Sequence, residues 1–544
     1  MKKYKMLLVV LTALCLLIPA LLSAQVDTAW VRRYNGPGNG IDSAFAIVSD
    51  NAGNVYITGT SSSTSLDYAT IKYNSSGVQQ WVTRYNGPGN GVDIAHAIVL
   101  DTAGNVYVTG RSTITTNNYD FATIKYNATG ETLWVRHFHG PQSFDIACCI
   151  TVDASGNVYV SGYSYATSSE WNIETIKYNS LGDTIWTRQY NGPANSTDVV
   201  TALAIDASGN VYVTGYSEGS GYNYDYITIK YNSSGDTVWT RRYNGPGNNY
   251  DYAYALAVDA SGNVYITGAA SGSETNYDYA TIKYNASGET LWLRKYNGPA
   301  SNVDRAMAMT IDASGNVYVT GYSDGGGTSY DYATIKYNSN GQEQWVQRYE
   351  GPGYGTDLAN AIKLDTSGNI YITGYSMGAA LSYYDYATVK YNSNGVQQWV
   401  IRYNGLASGD DYATSLVVNQ SDVYITGYSI GTGSGLDYTT IKYVQTPQGV
   451  EEERLTLDTK RNTLEVYPNP AKTYFTVRLP QSADRSEIKI FDITGKEVKE
   501  FKSLRVDVAS APSTLRVSLD RIKNGIYFVK VGGELINKKL IVTK

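Results

Sequence analysis

Between Asp304 and Tyr349, apolar and polar positions alternate in four short runs: Asp304-Arg-Ala-Met-Ala-Met-Thr-Ile-Asp312, Asn316-Val-Tyr-Val-Thr320, Tyr330-Asp-Tyr-Ala-Thr-Ile-Lys-Tyr337 and Gln344-Trp-Val-Gln-Arg-Tyr349. The absence of a helical period and the richness in Val, Ile, Thr and Tyr predict β-strands, here called A to D. Ala-Ser-Gly joins A to B and Asn-Ser-Asn-Gly joins C to D. Both connections carry a glycine able to take positive φ, so both predict tight hairpins. The unit reads as a four-stranded antiparallel meander.

This unit recurs. The segment Gly-Asn-Val-Tyr and its variants begin at Gly53, Gly104, Gly156, Gly209, Gly262, Gly315, Gly368 and, degraded, Ser421, a period that marks a repeat architecture. In strand A the third and fifth positions are small, as in Ala44 and Ala46 or Ala306 and Ala308, whereas the sixth is bulky, as in Ile47 and Met309. Sheets with one flat face and one bulky face are expected to stack around an axis as propeller blades. The last unit stops after strand C, and an orphan strand D, Trp30-Val-Arg-Arg-Tyr34, stands near the N-terminus. The expected fold is therefore all-β: an eight-bladed β-propeller over residues 25–446, closed by its N-terminal strand, then a small C-terminal β-sandwich. Closure would leave no unpaired edge.

The ends differ from the middle. Lys2, Lys3 and Lys5, the apolar run Met6 to Leu22 and the exit Ser23-Ala24-Gln25 are expected to form a secretory signal over residues 1–24, and no later stretch is apolar enough to span a bilayer. Residues 25–450 hold 36 acidic against 22 basic side chains, residues 451–544 hold 13 against 18. A net acidic body with no basic stripe argues against nucleic acid as a partner. A charged linker over 447–462 is expected to separate the propeller from a domain over 463–544.

Asp-Ala-Ser-Gly-Asn-Val-Tyr at the A–B hairpin and Tyr-Asn-Ser-Ser-Gly-Asp-Thr-Val-Trp at the C–D hairpin resemble the bacterial SBBP β-propeller repeats. That family has no shared catalytic motif to carry over. In the C-terminal segment, Tyr467-Pro468-Asn469-Pro470, then Ile488 to Gly495-Lys496, then Asn524-Gly525-Ile526-Tyr527 and a basic end resemble the type A C-terminal sorting domain of the type IX secretion system of Bacteroidetes. The resemblance implies recognition by that translocon and a secreted or cell-surface location. The residues alone read as short alternating strands.

Candidate chemistry is sparse. Connections of the type Tyr-Asn-Gly-Pro-Gly-Asn and the changing B–C loops are expected on one rim, rich in Tyr, Ser, Gly and Asn, a mix suited to recognition. Tyr163, Tyr216, Tyr322, Tyr375 and Tyr428 occupy one equivalent position there and are the candidate ligand contacts, for a glycan or a protein, with inter-blade packing as the alternative. Two carboxylates per blade, such as Asp42 and Asp67, suggest either Ca²⁺ rings or turns and ion pairs with the repeated Lys and Arg; the structural role is expected. Lys72 and its equivalents on strand C, and Arg84, Arg136, Arg188, Arg294, Arg348 and Arg402 on strand D, are the cations in view. Cys148-Cys149 is similar to the vicinal pair of pyrroloquinoline quinone dehydrogenases, but no cofactor or metal-ligand set surrounds it, and two small buried hydrophobes are expected. The three histidines, His96, His137 and His139, lack triad or metal spacing. No catalytic residue, metal or cofactor is assigned. The expectation is a monomeric, non-enzymatic binding scaffold; the alternative is an exported propeller hydrolase, lyase or quinone enzyme with residues scattered over the blades.

Overall fold

The computed structural model describes residues 25–446 apart from a few positions in the B–C loops, and seven strands between Glu465 and Val542. The expected signal over 1–24 and the expected linker over 447–462 lie outside the described residues. The chain divides into two units, Met1–Pro447 and Gln448–Lys544.

The first unit holds eight four-stranded antiparallel sheets. Seven are consecutive meanders; the eighth has the order Asp411–Asn419, Asp422–Ile430, Leu436–Thr446, Gln25–Tyr34. The N-terminal strand thus supplies the missing strand D, pairing Val31 with Ile441 and Tyr34 with Tyr438. Each strand A packs against the strand A of both neighbouring blades, and the eighth meets the first, so the A strands form the closed inner ring. In the type blade, strand C spans Tyr330–Tyr337 as expected, while strand B runs Val317–Asp324, four residues past Thr320.

Every strand A carries a β-bulge. Ala44 pairs with Gly59 and Ala46 with Thr58, leaving Phe45 unpaired, and the same slip follows Ala95, Ala147, Val200, Ala253, Ala306, Ala359 and Ala413. An extra residue reverses the alternation of faces. The third and fifth positions, expected to share a flat face, are therefore split: Ala44 packs with Ile47, while Ala46 joins the core of the next blade. The glycine opposite each bulge follows from the same crowding. A Cβ at Gly321 would overlap the Arg305 carbonyl oxygen, as one at Gly59 would overlap that of Ser43.

Cores lie between blades. Each contains strand B and C side chains of one blade, a buried strand B Tyr and the strand D Trp of its predecessor, with a strand C side chain of the predecessor that is Tyr except at Phe121 and Ile173, such as Tyr318, Tyr332 and Trp345 against Ile370, Ile372 and Val389. Hydrogen bonds cross the same boundaries: Tyr332 OH donates to Ala387 O at 3.1 Å and Tyr438 OH to Ala69 O at 3.2 Å, over the seam of the ring.

The second unit has two antiparallel sheets. One joins Glu465–Tyr467, Tyr474–Arg478 and Thr514–Ser518; the other joins Glu497–Lys502, Glu487–Asp492, Gly525–Val531 and Asn537–Val542. Their expected packing as a sandwich rests on side chains outside the described residues.

Candidate ligand-binding face

The rim formed by the D–A connections and the ends of strands B is pinned by buried carboxylates. Asp42 Oδ2 accepts the Gly36 amide at 2.8 Å and Oδ1 the Ser62 amide at 3.0 Å, tying the connection to strand B of the same blade; Asp93, Asp198, Asp304 and Asp411 repeat the contact with Gly87, Gly192, Gly298 and Gly405. Burial pushes these carboxyls up, to about 6 at Asp145, Asp198 and Asp251. The second ring pairs with strand D guanidinium groups: Arg84 with Asp67 at 2.8 Å, Arg348 with Asp331 at 2.8 Å, Arg402 with Asp385 at 2.9 Å and Arg33 with Asp437 at 3.2 Å. The first ring thus takes the turn role expected, and five members of the second take the ion-pair role.

Three of the arginines grouped with this ladder do something else. Arg136, Arg188 and Arg294 stand one residue earlier on strand D, over their own strand's Trp ring, and each donates Nε–H to a glycine carbonyl in the next blade's C–D turn. The strand C lysines are also outside the ladder. Lys336 Nζ lies 5.2 Å from the Tyr318 ring and donates to Ser393 O at 2.9 Å; Lys72, Lys125, Lys177, Lys230 and Lys283 repeat both contacts, whereas Lys390 donates to the Gln445 side chain and Lys442 also pairs with Asp422 at 2.7 Å.

Above the carboxylates lies an aromatic collar. Tyr163, Tyr216, Tyr322, Tyr375 and Tyr428 sit within strand B, directly after its bulge-facing glycine, rather than in the B–C loops, and all are half-buried. The hairpin register sets them opposite the second residue of strand A, for example Arg305 opposite Tyr322 and Tyr412 opposite Tyr428. The rings meet edge to face: Tyr163 with Trp171 at 5.2 Å, Tyr216 with Tyr224 at 5.2 Å and with Tyr252 of the next blade at 5.0 Å, Tyr322 with Tyr330 at 5.1 Å, Tyr375 with Tyr412 at 4.8 Å. Tyr412 in turn touches Tyr428. The five predicted tyrosines are thus brought onto one rim, each within a larger cluster. The sequence reading missed Tyr224, Tyr252, Tyr277, Tyr384 and Tyr412, and Arg305, whose guanidinium lies 4.8 Å from the Tyr277 ring. Pairing position two of strand A with the residue after the strand B glycine would have found Tyr252, Arg305 and Tyr412; Tyr224, Tyr277 and Tyr384 open strand C and pair with the last residue of strand B. Burial pushes the hydroxyls of Tyr216, Tyr254 and Tyr375 up to about 12, so they stay neutral, able both to donate and to accept hydrogen bonds. Tyr250, Tyr165 and Phe144 extend the surface into solvent.

The bulged residues line the inner ring. Thr201 Oγ1 donates to Ala253 O at 2.8 Å, Asn360 Nδ2 to Ala413 O at 2.8 Å and Thr414 Oγ1 to Ala44 O at 3.0 Å, each reaching the next blade. His96 stands edge-on to Phe45, its imidazole pushed down to about 4 by burial. Cys148 Sγ lies 3.5 Å from Cys149 Sγ and 3.3 Å from Val200 O, and both thiols are free. The Cys148 hydrogen bond and burial raise Cys149, which leaves it a poor nucleophile.

In the second unit Tyr527 is buried and donates to Lys523 O at 2.9 Å, Lys496 is exposed, Gly525 opens the strand Gly525–Val531 and Tyr467 ends Glu465–Tyr467. Pro468, Asn469, Pro470 and Gly495 lie outside the described residues.

Fold and closure define an eight-bladed β-propeller repeat protein. Residues 80–121, 185–223, 238–274 and 344–379 match the SBBP β-propeller repeat, and residues 465–543 match the secretion system C-terminal sorting domain. The chain is a propeller of SBBP repeats carrying a type IX secretion system sorting domain, exported to the cell surface or beyond it by that machinery. It is 22% identical over 452 residues to a WD repeat-containing protein of Acanthamoeba polyphaga mimivirus, matching 65% of this chain and 30% of that protein's length. A polysaccharide lyase, Uly1, is 12% identical with a TM-score of 0.42, over 67% of this chain and 92% of its own. A periplasmic gluconolactonase of Pseudomonas aeruginosa is 10% identical with a TM-score of 0.40, over 68% and 98%. Among the described residues no helix is long and apolar enough to cross a membrane.

Proposed function

We propose that the exported propeller is a non-enzymatic binding module whose aromatic collar takes glycan chains at the cell surface or in the medium. The observation that carries this reading is the collar itself: half-buried tyrosines held edge to face, with Tyr250 exposed beside them and Arg305 held among the rings. Such rings offer fixed apolar faces to the C–H groups of a sugar and neutral hydroxyls to its oxygens, with little side-chain entropy lost on binding. The sorting domain supports exposure to extracellular glycans.

The test is a glycan array followed by calorimetry on the mature exported protein. Tyr250→Ala and Tyr252→Ala should each weaken binding at least about tenfold, a loss of one stacking contact. Binding to no glycan, or affinities unchanged in both variants, would overturn the reading. Appearance of shortened or unsaturated oligosaccharides during the titration would replace it with an enzymatic one.

A further inference from the structure

The repeats serve as internal controls for one site that departs from them. Each strand C carboxylate lies within electrostatic reach of the first aspartate of the next blade, as Asp67 does of Asp93 and Asp331 of Asp357. In five blades an arginine of strand D neutralises it, and in the fifth blade Lys295 faces Asp278 and Asp251. In the third blade the carboxylate is replaced by Asn172, and Gln189 stands where the arginine would be. The second blade keeps its carboxylate, Asp120, facing Asp145 of the third blade, yet has His137 in the arginine position. His137 turns to the Tyr85 hydroxyl at 2.9 Å, and burial pushes its imidazole down. In its place His139, where other blades have Asn or Glu350, sets Nδ1 3.0 Å from Asp120 Oδ1 and 3.9 Å from Asp145 Oδ2.

We propose that Asp120, His139 and Asp145 bind a divalent transition-metal cation at the junction of the second and third blades. The ligand atoms lie within 4.8 Å of one another. Bonds of about 2.0–2.2 Å to a shared ion require only a small turn of Asp120, which no guanidinium among the described residues holds, and of the His139 ring, which is 57% exposed. Asp145 is fully buried and fixed by the Gly140 amide at 2.8 Å, so one ligand is preorganised. The aspartate pair repels across the junction, and a dication supplies the positive charge that arginine or lysine supplies elsewhere. An imidazole nitrogen among carboxylates favours Zn²⁺, Mn²⁺ or Ni²⁺ over Ca²⁺ and Mg²⁺, which prefer all-oxygen shells. The exposed side of His139 leaves the remaining coordination positions to water.

The experiment uses the mature exported protein, stripped with chelator and titrated with Zn²⁺, Mn²⁺ and Ca²⁺ by calorimetry, with thermal melts alongside. One equivalent of Zn²⁺ or Mn²⁺ should bind, and the melting temperature should climb with metal concentration. His139→Asn restores the repeat consensus, and His137→Arg returns a guanidinium to Asp120. Both should melt at or above the metal-free parent and lose affinity by about 10–100-fold. Absence of stoichiometric binding, or binding unchanged in His139→Asn, would overturn the site; Ca²⁺ binding as tightly as Zn²⁺ would overturn the transition-metal assignment.

Discussion

Trp30 packs its indole on Gly77, with Cδ2 2.7 Å from where a Cβ would stand, and donates Nε1–H to Ser75 O at 3.2 Å. One residue belongs to the last blade and the other to the first, so this contact closes the ring. Deleting residues 25–34 removes the contact and bares the strand C edge from Tyr438 to Tyr443. The truncated protein should aggregate or lose cooperative unfolding. A calorimetric melt matching the parent in temperature and sharpness would refute the latch.

Gly321→Ala tests the crowding behind each bulge. The added methyl meets backbone, which cannot swing aside. Overpacking of this kind should cost about 3 kcal/mol, read as a lower urea midpoint with an unchanged slope.

Arg348→Ala should destabilise by about 2 kcal/mol, because it strips Asp331 of its guanidinium partner at 2.8 Å. The double variant Arg348→Met with Asp331→Leu should recover much of that loss, since an apolar pair has no charge left to desolvate. A double variant no more stable than the single one would show that the ladder contributes through more than charge pairing.

Glu174 stands where five other blades have alanine and two have Ile227 and Thr439; it is 2% exposed and accepts the Gln189 amide at 2.6 Å. Burial, with help from Asp145, raises its carboxyl to about 7. A carboxyl raised in the fold binds more protons folded than unfolded, so stability falls as pH climbs from its ordinary value of 4.5 to about 7. Glu174→Ala should therefore stabilise the protein at pH 8, by on the order of 2 kcal/mol, with the gain shrinking towards pH 4. A gain independent of pH would assign the effect to packing.

Removing residues 463–544 should leave a folded propeller retained inside the cell envelope, and mass spectrometry of the surface or medium fraction should find parent protein ending upstream of Tyr467. Recovery of full-length chain outside the cell would count against cleavage of the sorting domain.

Repeat period, strand number and closure were legible because each rests on local alternation multiplied eightfold. Strand C was readable to the residue, from Tyr330 to Tyr337. Strand B was cut short at Thr320 because Gly321 looks like a turn, whereas it serves an extended strand that passes close to a bulge. That error put Tyr163, Tyr216 and Tyr322 on loops. The bulge leaves no compositional mark, and one inserted residue reverses the facing of Ala44 and Ala46. The same one-residue sensitivity misassigned Arg136, Arg188 and Arg294, which sit beside the ladder position without belonging to it. The Asp120 and His139 contact was hidden because 19 positions separate them and only the missing arginine between them signals it.

The unpaired residue of each innermost strand makes no ladder bond, so exchanging it breaks none. Phe45, His96, Cys148, Thr201, Tyr254, Met307, Asn360 and Thr414 already differ in size and polarity while the eight sheets around them keep one register. Structurally the molecule separates a repeated chassis from eight editable letters around its axis. A lineage, or a designer, can rewrite the inner wall one blade at a time without retuning the blades that carry it.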